Sequence, residues 1–144
     1  MPKIVVIYAS GMGRTKKMAE AIANGAMTVE GVEVLLKDAY DALPADALGA
    51  DAIILGGSTY NYKLIKAMDP FLKELAKLDL KGKVGVAFGS YGWSGEGVPT
   101  LIARMKSFGM KVIEPGITAV QVPSKEDIEK SFHLGRTVAM GLAN

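Results

Sequence analysis

Three segments of this chain combine glycine with hydroxyl-bearing or aromatic residues, and these residue types suit ligand binding. The first segment, residues 10–15, reads Ser-Gly-Met-Gly-Arg-Thr. The second covers residues 57–62 and the third covers residues 89–97. The only tryptophan and three of the five tyrosines fall in the second and third segments. We therefore take these three segments as the candidate binding site.

The first segment has the composition of an anion site. Its glycines allow a ligand close to the backbone, and the helical pattern that follows supplies free N–H groups and the positive end of a dipole. A phosphate is the best-suited ligand, and a plain helix N-cap with a solvated basic face is the alternative. Lys16 stands where a dinucleotide fingerprint needs glycine or alanine, and no Gly-Lys-Ser/Thr ending of a P-loop is present. The candidate phosphate ligands are Ser10, Gly11, Met12, Gly13, Arg14 and Thr15.

The other two segments are typical of a site for a planar ligand. Aromatic side chains between glycines can stack on a flat ring, while the exposed backbone provides hydrogen bonds. The alternative is that these aromatic residues cap the ends of the hydrophobic core. From the residues alone, the candidates are the two segments 57–62 and 89–97 as wholes.

Short apolar runs alternate with helical patterns along the chain. The runs are continuous rather than alternating, which indicates parallel strands covered on both faces. They predict five strands, at residues 3–8, 32–37, 52–56, 84–88 and 117–122. Apolar stripes at helical spacing lie between them, and residues 41–49 leave room for only a turn or two of helix.

This alternation predicts an α/β fold of three layers, with an open, doubly wound, five-stranded parallel sheet in the order 2-1-3-4-5. Residues 1–144 are expected to form a single domain. Ligands of such sheets bind at the carboxyl ends of the strands, near the switch in winding direction. The three candidate segments follow the first, third and fourth predicted strands, so they should meet there.

Composition excludes several kinds of chemistry. The chain has no cysteine and one histidine, His133, which rules out thiolate-held clusters and a multi-histidine metal site within it. We therefore assign no catalytic and no metal-binding residue, and any redox chemistry must come from an organic cofactor. A net charge of +2 does not indicate nucleic-acid binding. The apolar runs are too short to cross a membrane, and we expect a cytoplasmic protein.

The residues resemble the flavodoxin family, and most closely the flavodoxin domain of flavodiiron proteins. The strongest match is the run from Ala87 to Glu96, followed by Thr59-Tyr60-Asn61. The resemblance implies flavin mononucleotide (FMN), with its phosphate on the first segment and its isoalloxazine ring between the other two. Carried over by position, it implies that one side of the ribityl chain and ring is lined by Ser58, Thr59, Tyr60 and Asn61, and the other side by Ser90, Tyr91, Gly92, Trp93 and Gly95. It also implies a backbone carbonyl beside the flavin N5, for which the peptide near Asn61 is the candidate.

The resemblance implies an FMN-binding electron carrier that works between redox partner proteins, as a monomer or weak homodimer. An FMN-dependent NAD(P)H:quinone reductase is the alternative, although the short loops leave little room for a substrate pocket. A flavin-free signalling receiver would need an acidic residue where Gly56 and Gly57 stand. The flavodiiron relatives have a metal-binding domain that residues 1–144 lack.

The chain departs from the family pattern in its charges. Many relatives have threonine or serine at the position of Arg14, threonine at that of Gly11, and an acidic surface around the flavin. Here the residues near the loops are basic, which predicts an acidic docking face on the partner and binding that weakens with salt. The basic residues are Arg14, Lys16, Lys17, Lys63 and Lys66.

Overall fold

A computed structural model describes residues 1–143. Eight strands and five helices follow one another along the chain. The strands are β1 (Lys3–Ala9), β2 (Glu33–Asp38), β3 (Ala52–Gly57), β4 (Thr59–Tyr60), β5 (Lys63–Leu64), β6 (Val84–Tyr91), β7 (Lys111–Val112) and β8 (Ile117–Val120). The helices are α1 (Arg14–Met27), α2 (Pro44–Leu48), α3 (Asp69–Leu75), α4 (Gly97–Ser107) and α5 (Lys125–Ala143), and a 3-10 turn at Lys66–Met68 precedes α3.

The main sheet is parallel and has the order β2-β1-β3-β6-β7, with β8 also paired to β6. This confirms the predicted α/β fold and the 2-1-3-4-5 order, because β7 and β8 together occupy the fifth position. The strand predicted at residues 117–122 is β8, which ends at Val120, and β7 is a further two-residue strand that was not predicted. Between them lie Pro115, which has no N–H for a ladder hydrogen bond, and Gly116, whose φ is +78°.

Two hydrophobic layers cover the sheet. One side of the sheet packs against α2, α3 and α4, with Leu72 and Leu101 among its fully buried side chains. The other side packs against α1 and α5, with Met18 and Ile22 fully buried. All of β1 from Ile4 to Ala9 is buried, because both of its faces are covered. The apolar stripes of α1, α4 and α5 therefore mark the faces that pack on the sheet.

Glycine residues bring the backbones of helices α1 and α5 into direct contact. A Cβ added at Gly135 would overlap the carbonyl oxygen of Ile22, and one added at Gly25 would overlap that of Phe132. Only glycine allows backbones to approach this closely. The contact fixes α1, and hence the segment immediately before it, against the rest of the domain.

Short α2 begins after an extended residue, Leu43, whose N–H donates to the Asp46 carboxylate at 2.8 Å. Lys37 Nζ lies 3.0 Å from the same carboxylate oxygen. Burial raises the pKa of Asp46, but these hydrogen bonds and the charge of Lys37 outweigh it and hold that pKa below its ordinary value. The expected turn or two of helix in residues 41–49 is confirmed.

Candidate cofactor site

The carboxyl ends of β1, β3 and β6 lie side by side, because β1 pairs with β3 up to Ala9 and Gly57, and β3 pairs with β6 up to Gly56 and Phe88. Each of the three candidate segments begins where one of these strands ends. The strand ends approach closely, since a Cβ at Gly89 would overlap the carbonyl oxygen of Gly57. The sheet thus brings the three segments to one edge, as the strand order predicted.

A hydroxyl cluster connects the three segments below the surface. Thr15 Oγ1 lies 3.0 Å from Ser58 Oγ and 2.9 Å from Ser90 Oγ, and it accepts a hydrogen bond from the Ser90 N–H at 3.2 Å. Thr15 is fully buried, and both serines are more than nine-tenths buried. The sequence predicted these three hydroxyls as separate ligand contacts. It carried no signal of their mutual bonding, because the positions are 43 and 75 residues apart.

The start of α1 has the features of an anion site. Gly13 precedes the helix with φ +82°, and its N–H donates to Ser10 Oγ at 3.0 Å. The first hydrogen bond of the helix runs from Lys17 N–H to Gly13 C=O, so the N–H groups of Arg14, Thr15 and Lys16 have no backbone acceptor among residues 1–143. They point outward as donors for a ligand.

The charges at the start of α1 also favour an anion site. The first turn of this helix has no acidic residue. Arg14, Lys16 and Lys17 form no salt bridge within residues 1–143. Cations at a helix N-terminus oppose the dipole, so this arrangement is stabilised when an anion binds there.

A pocket of about 270 Å³ lies at the junction of the three segments. Every residue that lines it was predicted from the sequence as a ligand contact. They are Met12, Arg14, Ser58, Thr59, Tyr60, Asn61, Ser90, Tyr91, Gly92 and Trp93. Arg14 is the only charged residue among them, and none is a carboxylate, histidine or lysine. The pocket therefore offers hydrogen bonds and flat side chains but no strong general acid or base.

Large apolar side chains remain exposed around this pocket. Trp93 is 84% exposed, Met12 71% and Tyr60 51%, although apolar groups of this size are usually buried. Exposed aromatic residues beside a concave surface mark a ligand site, because a stacked ring would cover them. This observation favours a bound planar group over aromatic residues that merely cap the core.

Five predicted contacts do not line the pocket. Ser10 and Gly13 form the hydrogen-bonded turn before α1, and Thr15 makes the buried hydroxyl contacts described above. Gly11 packs under the Tyr60 ring, whose hydroxyl would lie 3.1 Å from an added Cβ. Gly95 lies beside the Tyr91 ring and lines a shallow depression at the start of α4 together with Glu96.

The sequence did not predict a hairpin in the second segment. Strands β4 and β5 are antiparallel, with Tyr60 opposite Lys63, so Asn61 and Tyr62 form a two-residue turn. Their φ values of 48° and 64° are those of a type I′ turn. Asparagine adopts positive φ readily, but tyrosine does not. The turn therefore has the asparagine of the usual asparagine–glycine pair but lacks the glycine. A hydrogen bond of 2.8 Å from Gly97 N–H to Thr59 Oγ1 attaches the hairpin to α4.

Fold and site together define the class of protein: an open α/β sheet with a pocket at its switch point that suits a phosphorylated, planar cofactor. The model of the flavodoxin family matches residues 6–135. The chain therefore belongs to the flavodoxin family, as the resemblance indicated. FMN is its cofactor, and the residues present fit that group, since donors and cations face an anion at α1 and exposed aromatic residues flank the pocket.

Known relatives fall into two groups. A flavodoxin of Aquifex aeolicus is 32% identical and covers 99% of this chain and 88% of its own length. A nitric oxide reductase of Moorella thermoacetica is 36% identical over 99% of this chain, but this chain spans only 37% of that protein. Among solved structures, a flavodoxin from the domain Archaea has a TM-score of 0.93, 36% identity and 99% coverage of both chains.

The chain spans about a third of the length of the first curated relatives, which include a flavodiiron protein of Clostridium acetobutylicum. Within residues 1–143, no group of three or more histidine, cysteine, aspartate or glutamate side chains is placed to hold a metal ion. None of the described helices is long and apolar enough to span a membrane.

Proposed function

We propose that this domain carries electrons between protein partners and has no substrate of its own. The observation that supports the proposal is the lining of the cofactor pocket, in which Arg14 is the only charged side chain. The pocket has no carboxylate, histidine or lysine, which are the side chains that most often transfer protons to a substrate. FMN supplies the electron chemistry when bound, and the chain binds it, orients it and sets its surroundings.

Each segment then has a distinct task in holding FMN. The free N–H groups at the start of α1 and the Arg14 guanidinium bind the phosphate, and Ser10 holds the preceding turn in shape. Tyr60 and Trp93 would flank the ring, and Met12 would pack on the cofactor. Thr15, Ser58 and Ser90 fix the spacing of the three segments, while Thr59, Tyr91 and the peptides at Asn61 and Gly92 line the pocket between them.

The surface around this pocket suits a partner with an acidic docking face. Lys16, Lys17, Lys63 and Lys66 are exposed and have no salt-bridge partner among residues 1–143. Nearby cations also stabilise the negative charge of the reduced flavin, so the more negative of the two flavin potentials should be higher than in acid-rimmed relatives.

The test compares two kinds of reaction with the FMN-loaded chain. Photoreduced protein should pass electrons to ferricyanide, and this rate should fall as ionic strength rises, because an anion approaches a basic surface. The rate with cationic hexaammineruthenium should rise with salt instead. Oxidised protein should show no steady oxidation of NADH or NADPH with a quinone. Sustained turnover with a nicotinamide would overturn the carrier proposal in favour of a quinone reductase.

A further inference from the structure

A second and larger cavity lies next to the cofactor pocket. It has a volume of about 940 Å³, shares only Tyr60 and Asn61 with that pocket, and runs between the β4–β5 hairpin and helices α3 and α4. We call it the hairpin groove. Its volume is near the upper end for ligand pockets, which leaves room for several side chains of an extended segment. Its other lining residues are Gly11, Tyr62, Lys63, Leu64, Ile65, Lys66, Asp69, Leu72, Thr100 and Arg104.

The hairpin groove is basic, and its cations are available. Lys63, Lys66 and Arg104 line it against a single carboxylate, that of Asp69. None of the four forms a salt bridge within residues 1–143. Arg104 is held in place by the Phe108 ring, 5.7 Å from its guanidinium carbon. These three cations line one groove, and none is paired with a carboxylate among residues 1–143. An occupant should therefore supply carboxylates.

Apolar side chains contribute to the lining of the same groove. Ile65 is partly exposed, and the Tyr60 and Tyr62 rings are 51% and 63% exposed. An occupant that combines carboxylates with an apolar side chain would match both parts of the lining. Neither a free inorganic anion nor a purely apolar ligand would do so.

We propose that the hairpin groove docks an acidic segment of the redox partner protein, with an apolar side chain against Ile65 and the tyrosine rings and carboxylates against Lys63, Lys66 and Arg104. This inference rests on the proposed carrier function and gives its partner a location. The location is useful for electron transfer because Tyr60 and Asn61 belong to both cavities. A segment in the groove therefore contacts residues that also face the cofactor.

The test uses the acetylated, amidated peptide Glu-Glu-Leu-Glu-Glu, added to the FMN-loaded, isotope-labelled chain and followed by NMR. Shifted amides should lie in residues 60–69 and 100–104. The Lys63→Gln/Lys66→Gln/Arg104→Gln variant should bind the peptide at least about tenfold more weakly, since three ion pairs are lost. The peptide Gln-Gln-Leu-Gln-Gln should bind about as weakly to the unaltered chain.

A matched control removes the same charge elsewhere. Lys81, Lys111 and Lys125 are exposed and lie outside both cavities. Their triple change to glutamine should alter peptide affinity less than about twofold. The double variant Lys63→Gln/Lys66→Gln, which changes only exposed side chains, replaces the triple variant if loss of Arg104 disturbs folding.

Three results would overturn the docking proposal: equal weakening by the control variant, amide shifts confined to residues 10–17, or displacement of the peptide by inorganic phosphate at similar affinity. Ferricyanide reduction by the same samples separates this proposal from the function on which it rests. If the unaltered chain binds no peptide but transfers electrons normally, the docking proposal alone is refuted. Failure of electron transfer would remove the carrier function as well.

Discussion

The hydroxyl oxygen of Thr15 lies 2.9 Å from that of Ser90, although the two residues are 75 positions apart. This hydrogen bond joins the first turn of α1 to the end of β6, and a second one joins Thr15 to Ser58 after β3. A single fully buried side chain therefore links all three segments of the candidate site.

Replacing Thr15 by valine should destabilise the FMN-free chain by about 1–3 kcal/mol, because the buried Ser90 N–H loses its acceptor. FMN affinity should also fall, since the three segments are no longer tied. Urea unfolding and FMN titration measure the two effects. Thr15→Ser should restore most of both, and Thr137→Val on the exposed side of α5 serves as the control. A Thr15→Val chain as stable as the control would disprove the role of the cluster.

A comparison of Gly13→Ala with Gly31→Ala should distinguish the effect of backbone strain on stability from the effect of Gly13 on FMN affinity. Gly13 and Gly31 have nearly the same φ, +82° and +81°, and neither has an atom within 4 Å of an added Cβ. Alanine at either position should therefore cost about 1–2 kcal/mol of stability through strain alone. Only Gly13→Ala should weaken FMN binding, by about tenfold or more, because only Gly13 shapes the anion site. Equal FMN affinity in the two variants would contradict this assignment.

Trp93→Ala should affect the cofactor but not the fold. Trp93 and Tyr40 are both 84% exposed, so alanine at either position should change the stability of the FMN-free chain by no more than about 0.5 kcal/mol. Trp93→Ala should weaken FMN binding by about 1.5 kcal/mol, roughly tenfold, through loss of ring stacking. Tyr40→Ala should leave FMN affinity unchanged. Isothermal titration with FMN distinguishes these outcomes from a purely structural role of Trp93.

Gly135→Ala should disrupt the contact between α1 and α5, because the new methyl group overlaps the carbonyl oxygen of Ile22. We expect a loss of about 3 kcal/mol in the free energy of unfolding. Gly141, on the same helix, has open space around it, and alanine there should be neutral or stabilise by up to about 1 kcal/mol. Thermal and urea unfolding of the two variants provide the comparison. Equal free energies of unfolding in the two variants would show that the contact between α1 and α5 accommodates a methyl group without loss of stability.

The sequence predicted five strands and the three segments at the pocket because continuous apolar runs and glycine-rich loops are local signals. The order 2-1-3-4-5 followed because it is common for five-stranded doubly wound sheets. Strand β7 was missed, since it has only two residues and therefore no periodicity. The β4–β5 hairpin was missed because Asn61-Tyr62 lacks the glycine that normally marks such a turn. The hairpin groove was also beyond prediction, because Lys63 and Arg104 converge only through tertiary packing.

In the proposed site, the start of α1 binds the FMN phosphate while the other two segments hold the ring. The most direct measurement titrates the cofactor-free chain with FMN and, separately, with riboflavin, which has the same ring without the phosphate. We predict one FMN per chain, bound at least about 100-fold more tightly than riboflavin, as expected when a dianion meets helix N–H groups and Arg14. Equal affinities for the two flavins, or no binding of either, would contradict the claim.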